Sequence, residues 1–571
     1  MKSIVKYLLL MALVVLSGCN KDEEILSDPM PEISKATETI YQIKEGRKVV
    51  ISPVVTNAEG ASYEWSIDGE VISTSASYTF VAESVGTFYI DFEVSNSVGS
   101  DQISFRIDVL ALQPPVVALY GRGGVYEVEA GVRTQIVAHT GGGKADKYSW
   151  KIDGEESGDE ESIFVEFENI GTHTITLLAT NEDGQSEATA TLNVVEHLSG
   201  SVHFPAALMS SQIYGNGSGD AYRNIPLGQS LALAPTIDNF RSPSFEWSVA
   251  GEVVSSSEVL LFTPDAVGRY DVQVVVRDAD GYTLSARVEV ECCEAEGSYR
   301  RNATESSSDR WSRVYEYIPA AGQFINEQKS GFEGVTTHPQ AIAYAEKRLS
   351  AGDYLSLGGW GGAVVAGFDH SIANREGADF AIKGNTHEGS SEPAIVWVMQ
   401  DVNGNGQPDD VWYELRGSEY ESATSVRRYA VTYFRPVADK MSVMWSDNRG
   451  SEGKIERMQQ HTQPSYYPLW IPSESFTLYG SLIAPNTTQD GAGNYKNNPY
   501  AWGYADNQGS NSLASDAQSC SFDISNAVRE DGEPMPLAYI DFVKVQCAVN
   551  HTAGPLGEIS TEIADIYEVQ R

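Results

Sequence analysis

The sequence predicts an all-β chain of 571 residues, with three repeated two-sheet sandwich domains followed by one larger β-sandwich or jelly-roll-like domain. A tryptophan motif recurs three times in the first half of the chain. Short segments of alternating apolar and polar residues surround it and end at turn sequences that contain Gly, which is typical of half-buried strands. The second half has further strand-and-turn segments without this motif, which indicates a different module.

The three repeats become visible when the tryptophans are aligned. SYEWSIDGEVIS contains Trp65, KYSWKIDGEESG contains Trp150 and SFEWSVAGEVVS contains Trp247, at separations of 85 and 97 residues. Each motif precedes a segment such as VGTFYIDFEVSNSVG, in which alternate residues are apolar. Three copies of one sandwich fold are the direct inference.

The W-x-x-x-G and V-G-x-Y/F words of these repeats resemble PKD-type immunoglobulin-like domains. The resemblance implies that residues 31–111, 114–197 and 200–294 form three such domains, which act as spacers or interaction modules. In the third copy Val249-Ala250-Gly251 replaces the IDG of the other two. We therefore expect an altered turn at Ala250.

Residues 296–571 form the predicted fourth domain, which is rich in aromatic residues and turns. AIVWVMQ, YAVTYFRP and AYIDFVKVQC are typical of its strands. One helix is expected, over residues 339–349. Thr337 is placed to cap this helix, and Ala341 and Ala345 lie on one face.

The N-terminus resembles a bacterial lipoprotein signal. A short apolar segment ends in LSGC, so residues 1–18 are a predicted signal peptide, Cys19 carries the lipid, and residues 19–30 are a tether. An ordinary secretory signal is the alternative. The KDEE that follows Cys19 resembles an export tag of Bacteroidetes lipoproteins, and a plain charged tether would look the same. We expect a protein held at the outer membrane by its lipid anchor only and exposed at the cell surface.

Composition and motifs limit the classes of function that are possible. A formal net charge of −40 argues against nucleic acid as a partner. The sequence contains no HExxH, GxSxG or Walker motif, so no enzymatic activity is predicted. Acidic residues are too plentiful for a glycosidase pair to be judged from sequence.

Four further cysteines are Cys292, Cys293, Cys520 and Cys547. Export permits disulfides, and four cysteines allow three pairings. We expect a disulfide between Cys520 and Cys547, because both lie in the last domain and the adjacent pair does not easily bridge itself.

The segment DVNGNGQPDDVW offers Asp401, Asn403, Asn405 and Asp409 as oxygen ligands. An EF-hand needs Glu at position twelve, where this chain has Trp412, and strands rather than helices flank the loop. The segment therefore predicts a structural Ca²⁺ site between two strands. A hairpin whose Asn and Asp side chains satisfy one another is the alternative.

Several long segments of the fourth domain carry a second resemblance. LSLGGWGGAVVAGFDHSI, SSEPAIVWVMQDVNGNGQPDDVWYELRGSEY and IDFVKVQCAVN resemble the C-terminal module of PKD-containing surface lipoproteins of gut Bacteroidetes, and within them the BtuH family. This resemblance implies that the module binds cobalamin or another corrinoid and passes it to a TonB-dependent transporter. A glycan-binding or adhesive protein is the first alternative, and a glycoside-active enzyme is the second.

A corrin ring has an apolar face and a rim of amides, so aromatic platforms with nearby polar groups suit it. Aromatic residues beside Gly, Pro, Asp or Asn offer such platforms, unless their rings simply close the ends of the sandwich. His370 is also considered as a cobalt ligand. The candidate ligand-binding residues are Trp360, His370, Trp445, Asp447, Asn448, Tyr466, Tyr467, Trp470, Trp502, Asp506 and Asn507.

Overall fold

A computed structural model describes residues 29–120, 125–215, 221–458 and 460–569. The chain divides into two compact units between Gln113 and Pro114. The predicted signal peptide and Cys19 lie outside the described residues. Within the described ranges, no helix has the length and apolar character needed to cross a membrane.

The first unit is an immunoglobulin-like sandwich. Its strands are β1 (Glu32–Ile33), β2 (Ile40–Lys44), β3 (Lys48–Ile51), β4 (Val55–Thr56), β5 (Ser62–Ile67), β6 (Glu70–Ser73), β7 (Tyr78–Val81), β8 (Gly86–Ser95) and β9 (Ser100–Leu110). The larger sheet has the strand order β2-β9-β8-β5-β6, with β2 parallel to β9, and the remaining strands pair as β3-β7 and β1-β4.

The second and third domains repeat this topology within the second unit. Their larger sheets have the orders β11-β18-β17-β14-β15 and β20-β27-β26-β23-β24, and again the first strand is parallel to its neighbour. The second domain consists of β10 (Pro115–Ala118), β11 (Val125–Glu129), β12 (Thr134–Val137), β13 (His139–Gly142), β14 (Lys147–Ile152), β15 (Glu155–Gly158), β16 (Ser162–Val165), β17 (Gly171–Asn181) and β18 (Gly184–Val195). The third consists of β19 (Ser201–His203), α1 (Met209–Tyr214), β20 (Ala221–Pro226), β21 (Leu231–Leu233), β22 (Thr236–Asp238), β23 (Ser244–Val249), β24 (Glu252–Ser255), β25 (Leu260–Phe262), β26 (Gly268–Arg277) and β27 (Thr283–Cys293).

The repeated tryptophan is the centre of each sandwich. Trp65, Trp150 and Trp247 are fully buried. Each indole N–H donates to a backbone carbonyl ten residues further along the chain, at 2.7, 2.8 and 2.8 Å. The ring fills the core while its one polar atom is satisfied, which explains why the same residue type recurs.

The turn after each tryptophan strand is the same in all three domains. Asp68, Asp153 and Ala250 have φ angles of 50°, 51° and 49°, and the following glycines are also left-handed. Two left-handed residues between antiparallel strands make the turn that matches strand twist. The expected alteration at Ala250 is therefore wrong, because the flanking pairing Val249↔Glu252 enforces the same backbone.

The C-terminal module has three main antiparallel sheets. Its elements are β28 (Arg313–Ile318), α2 (His338–Ala351), β29 (Leu355–Ser356), β30 (Ala363–Ala373), β31 (Phe380–Gly384), β32 (Ala394–Met399), β33 (Tyr413–Leu415), β34 (Val426–Phe434), β35 (Val443–Asp447), β36 (Glu452–Ile455), β37 (Ser475–Leu482), β38 (Thr487–Gln489), β39 (Tyr495–Asn497), β40 (Ser512–Leu513), β41 (Asp516–Phe522), β42 (Ala527–Val528), β43 (Tyr539–Cys547) and β44 (Glu562–Glu568). The orders of the three sheets are β28-β30-β43-β32-β33-β42, β29-β44-β31-β41-β40 and β36-β35-β34-β37, with a separate β38-β39 pair.

The predicted helix is confirmed as α2. Thr337 forms a capping box with Gln340, and Gly352 ends the helix in a left-handed conformation. Ala341 and Ala345 are buried, as the spacing predicts. One apolar core joins this helix to all three main sheets.

The second and third domains pack against the C-terminal module. Tyr120 of the second domain accepts a hydrogen bond from the backbone N–H of Val437 at 3.0 Å and stacks on Phe434. Val411 of the module packs against both its own core and the core of the third domain. These two domains therefore form interfaces with the module and are not only spacers along the chain.

The predicted disulfide is wrong in this structure. Cys520 lies in β41 and Cys547 at the end of β43, in different sheets, and both are free buried thiols. Each thiol donates to a backbone carbonyl, that of Asn507 at 2.9 Å and that of Ile559 at 3.5 Å. The shared domain that suggested the pairing does not bring the two sulfur atoms together.

Candidate functional site

Four of the predicted ligand-binding aromatics belong to the core. Trp360, Tyr466 and Tyr467 are fully buried, and Trp470 is 3% exposed. Trp470 stacks on Phe332 and on Tyr317 and does not face solvent. The prediction that these rings form open platforms is wrong, because the rings fill the interior of the module and leave no face for a ligand.

His370 has no free ring nitrogen for cobalt. Its side chain is buried, with Nδ1 2.7 Å from Asp369 and Nε2 3.1 Å from Glu568. Arg375 contacts the same Glu568 carboxylate at 3.1 Å. The histidine is thus part of a buried polar network, and the cobalt-ligand prediction is wrong.

Asp447 and Asn448 organise the turn after β35. Asp447 accepts a hydrogen bond from the Tyr429 hydroxyl at 2.6 Å and two from backbone N–H groups of the turn. Asn448 accepts from Ala430 N–H at 3.0 Å and donates to the carbonyl of Ile237 in the third domain at 3.3 Å. Half-buried Trp445 lies on the same strand. These side chains already have protein partners, so their arrangement does not support a ligand-binding role.

The last predicted group divides between core and surface. Asn507 is buried, and its amide bonds both the N–H and the carbonyl of Tyr500. Trp502 is 37% exposed, the largest exposure within the predicted ligand-binding set. It is the member of that set that remains available to a ligand.

Asp506 belongs to a buried cluster of three carboxyl groups. One oxygen from each of Glu392, Asp506 and Glu562 lies within 4.8 Å of the others. Asp506 accepts hydrogen bonds from the backbone N–H groups of Asn385 at 2.9 Å and Glu562 at 3.0 Å. Residues so distant in the sequence give no local signal, so sequence reasoning did not predict the cluster.

Burial raises the pKa values of these carboxyl groups, and neighbouring negative charges raise those of Glu392 and Asp506 further. The pKa of Glu562 rises to about 7, and those of Glu392 and Asp506 rise well above their usual range. Nearby Glu558 is also buried, which raises its pKa to about 8. These groups retain protons at pH values where exposed carboxyls have lost them.

The 401–410 loop brings its predicted calcium ligands together. Asp409 receives hydrogen bonds from the side-chain amides of Asn403 at 3.3 Å and Asn405 at 2.9 Å. Asp401 accepts from backbone N–H groups of Asn405 and Gly406. A buried oxygen of Asp410 beside them has no partner in the described part of the chain. This oxygen-rich convergence fits Ca²⁺, although the loop also satisfies most of its own polar groups.

The third domain and the C-terminal module enclose a hollow that we call the seam cavity. Its volume is about 160 Å³. The Trp412 indole N–H donates to the carbonyl of Ala207 across the seam at 2.8 Å. The third domain contributes mostly apolar wall residues, and the module contributes aromatic and charged ones. The lining includes Phe204, Arg223, Leu231, Leu233, Trp397, Asp410, Val411, Trp412, Glu414, Tyr420, Arg427, Arg428, Tyr479, Val528, Arg529, Glu530 and Lys544.

Lys544 is held between two tryptophans of the seam cavity. Its Nζ lies 4.6 Å from the ring centroid of Trp397 and 5.1 Å from that of Trp412. Burial lowers the pKa of Lys544 to about 8 and raises that of Glu414 to about 7. An ammonium group between two aromatic faces is stabilised electrostatically even where water is scarce.

Sequence reasoning did not predict this cavity, although a weak signal was present. Glu414 interrupts the otherwise apolar segment VWYEL, and Lys544 lies between two valines in AYIDFVKVQC. A charged residue in a strand buried on both faces is uncommon and calls for a partner. The partners come from a different domain, so the strand alone does not reveal them.

One comparison with known protein families matches the first of the three repeats. Residues 30–96 match the PKD-like domain family. None of the curated proteins compared with the chain matches it.

The chain is similar to three solved structures of multi-domain proteins. The titin I-band fragment I67–I69 is 14% identical, with a TM-score of 0.23, over 47% of this chain and 99% of the fragment. The fibronectin(III)-like modules of Clostridium thermocellum CbhA are 18% identical, with a TM-score of 0.18, over 29% and 94%. The N-terminal four Ig domains of a Dscam1 isoform are 17% identical, with a TM-score of 0.18, over 30% and 47%.

Proposed function

We propose that this chain is a non-catalytic surface lipoprotein whose C-terminal module binds a corrinoid. The observation that carries the binding role is Trp502, which is 37% exposed on the module and is hydrogen-bonded to the loop that leads to the seam cavity. The PKD-like domains then present the module away from the membrane that holds the lipid on Cys19.

The corrinoid is the ligand implied by the resemblance of the C-terminal segments, and its size limits where it can bind. A cavity of about 160 Å³ is below the roughly 300–1,000 Å³ of sites that bury drug-sized ligands, and a corrinoid is larger still. The ring must therefore lie on an exposed face. Only a peripheral arm can enter the cavity.

Trp502 offers such a face beside the cavity. Its carbonyl accepts a hydrogen bond from Ser418 N–H at 3.0 Å. Tyr420, two residues further along this loop, lines the seam cavity. We place the apolar face of the corrin on Trp502, with an amide arm directed toward Tyr420. Release to a TonB-dependent transporter follows from the resemblance, and a structural Ca²⁺ in the 401–410 loop would stiffen the strands beside the cavity.

The test is direct binding of cyanocobalamin to the full chain. Co-elution of the pink ligand from a sizing column and a 1:1 calorimetric titration are expected, with weaker binding by Trp502→Ala. Tyr89→Ala provides a matched control, because Tyr89 is 61% exposed on the first domain. Absence of binding at micromolar concentration would overturn the proposal.

A glycan-binding or adhesive function is the second candidate. An exposed tryptophan with neighbouring polar groups suits a sugar ring as well as a corrin face. Binding to a glycan array that is lost in Trp502→Ala, without cyanocobalamin binding, would favour this candidate. Release of sugar from a polysaccharide would instead indicate a glycoside-active enzyme.

A further inference from the structure

We propose that the seam cavity is a binding site for a small organic carboxylate with an apolar body about the size of a benzene ring. This site is additional to the corrinoid surface of the proposed function. It does not depend on it, because the cavity has its own polar and apolar walls.

The charge on the cavity wall is opposite to that of the chain. The whole sequence has 39 Lys and Arg against 79 Asp and Glu. The cavity lining reverses this ratio, with three acids and five cations, which are Arg223, Arg427, Arg428, Arg529 and Lys544. A concave site with an excess of positive charge and low-dielectric walls attracts anions.

Three cations of the wall, Arg223, Arg427 and Lys544, are not used in ion pairs with described residues, and the Arg427 guanidinium donates to the Tyr420 hydroxyl at 2.9 Å. Arg428 pairs with Glu530, and Arg529 pairs with Asp531. Among the described residues, neither Arg223 nor Lys544 has a carboxylate within salt-bridge distance. The Arg223 guanidinium instead donates to backbone carbonyls, one of them that of Pro205 at 2.7 Å.

Lys544 and Trp397 also present donors without acceptors. The buried Trp397 Nε1 has no partner in the described part of the chain. The Lys544 ammonium makes no ion pair within 4.0 Å there, and the carboxyl groups of Glu316 and Glu414 act on it from a longer distance. The ammonium lies over the Trp397 ring, so both donors belong to one part of the wall. A carboxylate has two oxygens and satisfies both, which removes the cost of leaving buried donors unpaired.

The remainder of the wall sets the size and polarity of the ligand. Phe204, Leu231, Leu233, Val411 and Val528 supply apolar surface to the same cavity. The volume of about 160 Å³ is close to the roughly 150 Å³ of an engineered apolar cavity that holds benzene. The site therefore accommodates one ring or a short branched chain beside the carboxylate. An inorganic anion would not contact the apolar wall and would therefore bind more weakly.

The experiment compares four probes by calorimetry on the full chain. Benzoate is expected to bind, whereas uncharged benzamide, cationic benzylamine and inorganic phosphate are expected to bind at least about tenfold more weakly. Equal binding of benzoate and benzamide would overturn the carboxylate assignment. No heat with millimolar benzoate would overturn the site itself.

Two variants locate the binding. Lys544→Met keeps the aliphatic stem and removes the charge, so benzoate affinity should fall about tenfold or more. Trp397→Phe keeps an aromatic ring without the N–H donor, and a severalfold loss of affinity with an unchanged melting temperature is expected. Lys496→Met is the matched control on an exposed residue of β39.

Benzoate affinity unchanged in both folded cavity variants would overturn the proposal. Cyanocobalamin binding is measured separately on the same preparations. Its absence would leave benzoate binding intact, so the two proposals fail independently.

Discussion

Replacing Glu558 by Gln removes a buried titrating group from the C-terminal module while keeping its hydrogen bond. Glu558 Oε1 accepts the backbone N–H of Gln323 at 2.6 Å, and Oε2 has no partner in the described part of the chain. The Gln side chain has the same shape and retains the accepting oxygen. Its amide group takes the position of the carboxyl hydroxyl, so both forms leave one buried group unpaired.

The two side chains differ in their response to pH. Burial raises the pKa of Glu558 from 4.5 to about 8. Between about pH 4.5 and 8 the folded carboxyl keeps a proton that the unfolded chain has released, so unfolding releases a proton and stability falls as pH rises. The full contribution is at most about 5 kcal/mol at pH 8, and water entry and relaxation reduce the expected value to about 2 to 3 kcal/mol.

Urea unfolding at pH 5 and pH 8, followed by tryptophan fluorescence, measures this difference. We expect Glu558→Gln to unfold with nearly the wild-type free energy at pH 5 and to be more stable by about 2 to 3 kcal/mol at pH 8. Glu388→Gln changes an exposed carboxyl in the same module and should show no such dependence. An equal difference between Glu558→Gln and wild type at both pH values would refute the reasoning.

Three further predictions follow from particular residues. Ala250 has a left-handed backbone with a φ of 49°, which Asn tolerates better than Ala. Ala250→Asn should therefore stabilise the third domain against urea by about 1 kcal/mol. Unfolding of the variant at a lower urea concentration than the wild type would contradict the turn geometry. Calcium should raise the melting temperature of the wild type but not of Asp409→Asn; equal values with calcium and with chelator would leave only a self-satisfied turn. Cys520 and Cys547 should both be alkylated in denaturant without reductant, and a peptide pair linked through these residues in mass spectrometry would contradict the free thiols.

The sequence alone determined the local and repeated features. The motif around Trp65, Trp150 and Trp247 predicted three copies of one sandwich, because a buried indole, a two-residue turn and alternating strands are each encoded within a few residues. The helix of the C-terminal module was predictable for the same reason, since Thr337 and the spacing of its alanines lie within one segment.

The tertiary structure decided which polar and aromatic residues are available to a ligand. Trp360 and Trp502 have similar Gly-rich or polar neighbours in the sequence, but one is fully buried and the other is 37% exposed. Arg223 and Lys544 both line the seam cavity, although they belong to different domains. Burial and convergence depend on contacts between segments hundreds of residues apart, and neither periodicity nor composition records those contacts.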